Sequence, residues 1–259
     1  VVRLAAALLF ALVLLAGPLA AAGRHAADTA WARDPDDGRL LYREDHGLLF
    51  DADGRLLERR VLYRCADGTA FAFKRVDHRP DAEAPDFVLH DARSGYREGL
   101  RRREGRREAF VQYLGGVERA GTIDAGPLVA DAGFDVWARN HWTPLVAGER
   151  LRLRFLVPSR LAAYPFAVEA RHSVPQDGAY RFRLRLGGWL GWFAPYIDVA
   201  YAADDRRLLR FEGLSNLRDD RGVRPLQVRI DFPEPARPAS TAEFEALATE
   251  PLRACRVEP

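Results

Sequence analysis

The chain has 259 residues, 48% of them hydrophobic and 29% charged. That is enough apolar material for a substantial core and excludes wholesale disorder. Lys and Arg total 39 against 37 Asp and Glu, a net charge of +2; nucleic-acid-binding domains usually carry a clear basic surplus, so no nucleic-acid partner is expected. Lys74 is the single lysine and the other 38 bases are arginine, a GC-rich coding bias that makes arginine abundance a poor guide to function.

Methionine is absent and the chain opens on Val1, which reads as a non-AUG start. Arg3 supplies a short positive region, residues 4–16 are uninterruptedly apolar, and Gly17 and Pro18 precede the small residues 20–23. This order is that of a secretory signal peptide. Thirteen apolar residues fall short of the roughly 20 a transmembrane helix needs. We therefore expect cleavage after Ala22, a periplasmic mature chain with no membrane span, and one β-rich domain over 23–259. Removing Arg3 lowers the net charge from +2 to +1. The two cysteines, Cys65 and Cys255, would meet an oxidising compartment, where a disulfide is favoured; two separate buried thiols are the alternative.

From residue 39 to 114 the chain alternates in short runs. Leu40, Tyr42, Glu44 and His46 share one face; Val61, Tyr63 and Cys65 share another, followed by a turn at Asp67 and Gly68. Runs at 69–76 and 87–89, then a long hairpin over 96–101 and 108–114, complete an antiparallel meander rather than βαβ units. The period changes at Asp131, a candidate N-cap: Phe134, Trp137, His141 and Leu145 recur at helical spacing, which predicts one amphipathic helix over 131–147. Strands resume at 150–155, where Leu151, Leu153 and Phe155 alternate with arginines, and at 164–171, 180–186, 197–201, 207–212 and 227–232. Strict alternation means one wet face and one dry face. Pro233, Pro235 and Pro238 read as a linker, and Ser240 with Glu243 as the capping box of a short terminal helix. The expected fold is mainly β: a large curved antiparallel sheet or half-open barrel, with one helix on its concave face and a short C-terminal helix. A closed barrel or a two-sheet sandwich competes with it.

Signals for catalysis are sparse. The six histidines are scattered without metal-ligand spacing, no cofactor motif is present, and Ser215 lacks the second glycine of a nucleophile elbow. Asp204 with Asp205 and Asp219 with Asp220 have the chemistry of turns. Residues 97–108 hold six arginines and three glutamates, read either as a solvated, ion-paired hairpin tip or as a contact for anionic lipid headgroups. More informative is the cluster Trp189, Leu190, Trp192, Phe193 and Tyr196. Aromatic residues so dense must be covered or used; they plug the open end of a half-barrel, line its mouth or touch a membrane.

Several local patterns run through most of the mature chain. They are Leu41, Tyr42 and Glu44 with His46; Tyr63, Cys65 and Gly68 leading to Phe73 and Lys74; Phe134 with Trp137; Phe155, Pro158 and Ser159; and Leu209, Phe211 and Gly213 with Ser215 and Asn216. In these the chain resembles an uncharacterised family of exported bacterial proteins. Its arrangement of strands, helix and strands is similar, more distantly, to half-barrel envelope proteins such as the periplasmic carriers of lipoproteins, a likeness of architecture that carries no function. The leading expectation is a non-enzymatic periplasmic protein sheltering a lipid, acyl chain or other hydrophobic partner, with Trp189, Trp192, Phe193 and Tyr196 as one wall and Trp137 and Trp142 as a second. The alternatives are an envelope hydrolase using His46 or His90 with nearby carboxylates, and a scaffold that pairs a sheet edge with an envelope protein.

Overall fold

The structure is a computed structural model and describes residues 23–188 and 196–257. Eight strands precede the helical region: β1 (Arg24–Arg33), β2 (Leu40–Phe50), β3 (Leu56–Arg64), β4 (Ala70–Asp77), β5 (Asp86–Asp91), β6 (Tyr96–Arg103), β7 (Arg106–Gln112) and β8 (Arg119–Ile123). Helices α1 (Gly133–Asn140) and α2 (Trp142–Val146) follow, then β9 (Leu151–Val157), β10 (Ala162–Ala170), β11 (Ala179–Leu186), β12 (Ile197–Ala202), β13 (Leu208–Arg218) and β14 (Pro225–Asp231). A two-residue strand β15 (Arg237–Pro238) and helix α3 (Thr241–Thr249) end the order. Among the described residues no helix is long and apolar enough to cross a membrane.

All ladders are antiparallel, and the strands form one 15-stranded sheet ordered β8 to β1 and then β14 to β9. Two meanders thus meet along β1 and β14, where Trp31 faces Asp231 and Ala32 faces Ile230. The sheet is not closed, because β8 and β9 stand at its two ends without a shared ladder. Residues between β8 and α1 fill the gap instead. Val129 donates to the Arg154 carbonyl at 2.8 Å and accepts from the Leu156 amide at 2.9 Å, while Ala130 donates to Glu83 at 2.9 Å. Beneath these bonds Phe87, Leu100 and Ile123 from one end of the sheet pack with Leu156 from the other and with Leu128 of the bridging segment. Side-chain packing does what strand pairing would do in a closed barrel, and the β9 edge is left with fewer free backbone groups.

The helical region lies on the concave face, but as two short helices. Asp131 does not cap α1: it sits at a left-handed φ of 45°, and its carboxylate is held by Lys74 Nζ at 3.0 Å, leaving Ala132 as an N-cap without a side-chain bond. The ladder breaks at His141, with φ −105° and ψ 22°, since Pro144 has no N–H to offer the carbonyl of Asn140. The expected apolar face survives the break. Phe134, Trp137 and Leu145 are buried in one cluster with Leu153, Phe182 and Val199 of the sheet.

Outward-facing arginines on the second meander are paired with acids on neighbouring strands: Arg183 with Asp198 directly opposite, Arg154 with Asp124 and Arg210 with Asp231. In the arginine-dense hairpin β6–β7, Arg101 binds Glu108 and Glu118, Arg102 binds Asp86, and Arg107 binds Asp81. Local ion pairs are therefore the partners found there.

The stretch read as a linker contains β15, bonded to β1 through Ala26 and Ala27. The Ser240 and Glu243 capping box is present as expected. Helix α3 lies on the outer face of β1 to β3, so close that a Cβ at Gly47 would stand 2.7 Å from Leu247 and 2.8 Å from Phe244. Arg60 lies under the Phe244 ring at 4.0 Å and binds Glu245. Beyond the helix Glu250 pairs with Arg64, and a Cys65–Cys255 disulfide, spanning 190 residues, fastens the tail to the end of β3. For a loop of that length, chain entropy allows a stabilisation of roughly 5 kcal/mol. Cys255→Ser is expected to lower the urea midpoint substantially and to make the parent's sensitivity to dithiothreitol disappear. Equal midpoints for parent and variant under oxidising conditions would show that the bridge contributes nothing.

Candidate functional site

Antiparallel register places cross-strand partners on the same face, so the concave face reads as transverse rows. One row runs Asp28, His46, Val61, Lys74, Leu89, Glu98 and Val111 from β1 to β7; the next runs Ala30, Glu44, Tyr63, Ala72, Asp91 and Tyr96. The first meander thus carries polar and ionisable side chains into the interior. The second presents Phe155, Leu184, Val199, Phe211 and Ile230. Between these walls lies a cavity of about 190 Å³, whose polar lining is Glu44, His46, Arg59 and Lys74 of the first meander, Asp131 of the connecting segment, and Ser215 and Asn216 of β13. A second hollow of about 510 Å³ shares Arg59, Asp135, Leu208 and Phe232 with it, so the two adjoin. A wider depression, of about 1270 Å³, lies elsewhere, among turn residues such as Asp36, Arg221 and Arg224.

Most polar groups around the cavity are tied together. His46 Nε2 lies 2.9 Å from Glu44 Oε2, both side chains being buried, and the His46 ring packs against Phe232. Lys74 binds Asp131. The Tyr42 hydroxyl lies 3.2 Å from Ser215 Oγ. Asn216 Nδ2 donates to Glu98 Oε1 at 2.6 Å, the Tyr96 hydroxyl donates to the other carboxylate oxygen, and Arg218 donates to Tyr96 Oη at 3.2 Å. Burial pushes the Glu98 carboxyl above the ordinary carboxylate range, although Tyr96, Asn216 and Arg218 oppose the shift. Burial likewise raises Tyr42, Tyr63 and Tyr201 well above a normal phenol, so these hydroxyls stay protonated. The arrangement offers a small greasy chamber with a hydrogen-bonding floor, and holds His46 as part of that floor.

Comparison with known proteins adds a distant likeness. The chain is similar to a β-barrel-like protein of the domain of unknown function DUF1849 from Brucella abortus, with 8% identity and a TM-score of 0.36, over 84% of this chain and 96% of that one. No family model and no curated protein matches the chain. A likeness at that level says nothing about activity.

The residues singled out in the sequence fall in different places. Trp189, Trp192 and Phe193 lie outside the described residues; the strands that their segment connects contribute Leu184 and Ile197 to the cavity wall. Tyr196 is 40% exposed, its ring covered by the Arg183 guanidinium at 3.4 Å. Trp137 is buried, stacked on Phe134 and His141. Trp142 is buried edge-on to Tyr180, Phe182 and Tyr201. Neither indole borders the cavity; they pack in the cluster whose other members, Phe134, Phe155 and Val199, do. His46 faces inward, whereas His90 is exposed in the row of Phe73 and Arg97, on the opposite face, so the two histidines do not share a site.

Sequence reasoning missed Arg59, Lys74, Asp131 and Asn216 as neighbours. Only Arg59 left a signal: it is in phase with Val61, Tyr63 and Cys65, on what alternation marks as the dry face of β3. The raised Glu98 yields a test. A carboxyl with a folded pKa above its unfolded one stabilises most at low pH, and that stabilisation is lost as pH rises through the folded value. Glu98→Gln, uncharged throughout, is expected to gain melting temperature relative to the parent as pH goes from 4.5 to 8. Parallel melting curves for the two proteins across that range would contradict a shifted Glu98.

Proposed function

We propose that this protein is a binding protein of the cell envelope that shelters a small hydrophobic or amphipathic molecule, such as an acyl chain, inside its unclosed barrel. The observation that carries this reading is the cavity between the polar first meander and the apolar second meander. The disulfide suits an oxidising compartment, and the apolar segment at 4–16 fits export.

Size narrows the occupant. An apolar cavity of about 150 Å³ accepts benzene, so 190 Å³ suits an apolar group of about six to eight carbons rather than a whole two-chain lipid. At about 0.8 kcal/mol per buried methylene, such a group contributes on the order of 5 kcal/mol, which by itself gives no better than sub-millimolar affinity. Polar contacts must supply the remainder. The enzymatic alternative retains the buried His46–Glu44 pair it calls for, but His90 faces away and adds nothing to it. Strand addition at the β9 edge has less support, because Val129 already occupies backbone groups there.

The test uses N-phenyl-1-naphthylamine, a neutral dye that brightens in apolar sites and is large enough to occupy the inner cavity with one ring system and the adjoining hollow of about 510 Å³ with the other. Ile197→Trp and Leu208→Trp, which place an indole in the cavity wall at partly buried positions, are expected to weaken dye binding tenfold or more with an unchanged far-ultraviolet spectrum. Undiminished binding by both folded variants would locate the dye, and the function, elsewhere.

A further inference from the structure

We infer that Arg59 is an anion receptor at the junction of the two hollows, and that the ligand is a small amphipathic anion with a singly charged head. This rests on the cavity reading above and goes beyond it by naming the class of ligand. Arg59 stands in a row whose other members are Ala26, Leu48, Val76, Phe87, Leu100 and Ala109, all buried. Arg59 itself is half-buried with its Nε out of water, and a guanidinium drawn partly into such a row gains from a charged partner. Its neighbours on β3 and β4 have theirs: Arg60 binds Glu58 and Glu245, Arg64 binds Asp45 and Glu250, and Arg75 binds Glu58. Among the described residues Arg59 makes no ion pair, and its Nε is buried without a hydrogen-bond acceptor.

The acids around the cavity are engaged elsewhere: Asp131 by Lys74, Glu44 by His46, and Asp135 by Arg139. What remains at this end, among the described residues, is one guanidinium without an ion pair, the exposed Glu234 at the rim of the outer hollow, and three buried unbonded atoms, Asp28 Oδ1, His46 Nδ1 and His78 Nε2. Asp28 lines the outer hollow with Arg59. Its carboxylate disfavours a doubly charged phosphate and leaves room for a carboxylate or sulfonate that carries one charge and a neighbouring donor. Arg59 borders both hollows, so a head bound there points its tail into the apolar chamber and its other side toward the outer one. A guanidinium presents a planar pair of donors suited to a carboxylate.

The experiment displaces N-phenyl-1-naphthylamine with octanoate or with 1-octanol, which share a tail length and differ in charge. The parent is expected to bind octanoate at least tenfold more tightly than octanol. Arg59→Met, which keeps the apolar stem and removes the cation, is expected to bind the two equally while melting at the same or a higher temperature, because an uncompensated charge has gone. Arg59→Lys is expected to restore part of the preference, and serves as the second variant should the Met protein fold poorly. Dye binding by the parent with no preference for octanoate, or a preference unchanged in Arg59→Met, overturns this inference alone. Failure of the parent to bind even the neutral dye overturns the cavity reading, and this inference with it.

Discussion

Everything in this molecule depends on β1 being paired on both sides. Through β2 it joins the first meander and through β14 the second, so two sheets that would each leave a dry face bare become one curled sheet with an interior. Curling sets the face of β2 to β6, rich in Glu, His, Lys and Tyr, against the face of β9 to β14, rich in Leu, Val and Phe. Neither wall alone makes a site. The polar wall would be ordinary solvated sheet, and the apolar wall would be a core awaiting cover.

The interior is covered incompletely, and the reason lies in the helices. Two short helices fill the lower part with Trp137, Trp142 and Leu145, but the chain between β8 and α1 is spent on bridging the sheet ends. Asp131 is drawn to Lys74 instead of capping a longer helix. The remaining volume falls where charges of the first meander meet the apolar wall of the second. Buried ionisable groups are weak evidence for stability, and this structure engages nearly all of them in pairs or hydrogen bonds, as Glu98 is held by Tyr96 and Asn216. Among the described residues two arginines without an ion pair keep a buried, unbonded Nε, the buried Arg218 and the half-buried Arg59; Arg218 is bonded to Tyr96 and Val223, so Arg59, on the cavity wall, carries the functional weight.

The outer face follows a different logic. The C-terminal segment adds β15 to β1, lays α3 over β2 and β3, and ends in the disulfide to Cys65. It therefore clamps the strands on which the double pairing rests. Arginines on the remaining outer surface find acids across the ladder, as Arg183 finds Asp198. The arginine bias of the sequence is largely absorbed in such pairs, each of modest value in water, and the inward Arg59 cannot be dismissed with them.

Alternation in the sequence was enough to determine an antiparallel β protein, the dry faces of β2, β3, β9 and β11, the helical region after Asp131 and the Ser240 cap, because each depends on neighbours a few residues away. β1 and β8 escaped notice: four of the ten residues of β1 are alanine, and β8 is short and holds Gly121, so neither shows the bulky alternation that marks a strand. Trp137 and Trp142 were legible as apolar and buried, but not as core lying beneath a cavity whose walls are formed by other residues. The meeting of Arg59 with Leu208 and Phe232, or of Asn216 with Glu98, involves residues more than a hundred positions apart. Periodicity tells which way a side chain points. Only the curl of the sheet decides what it points at.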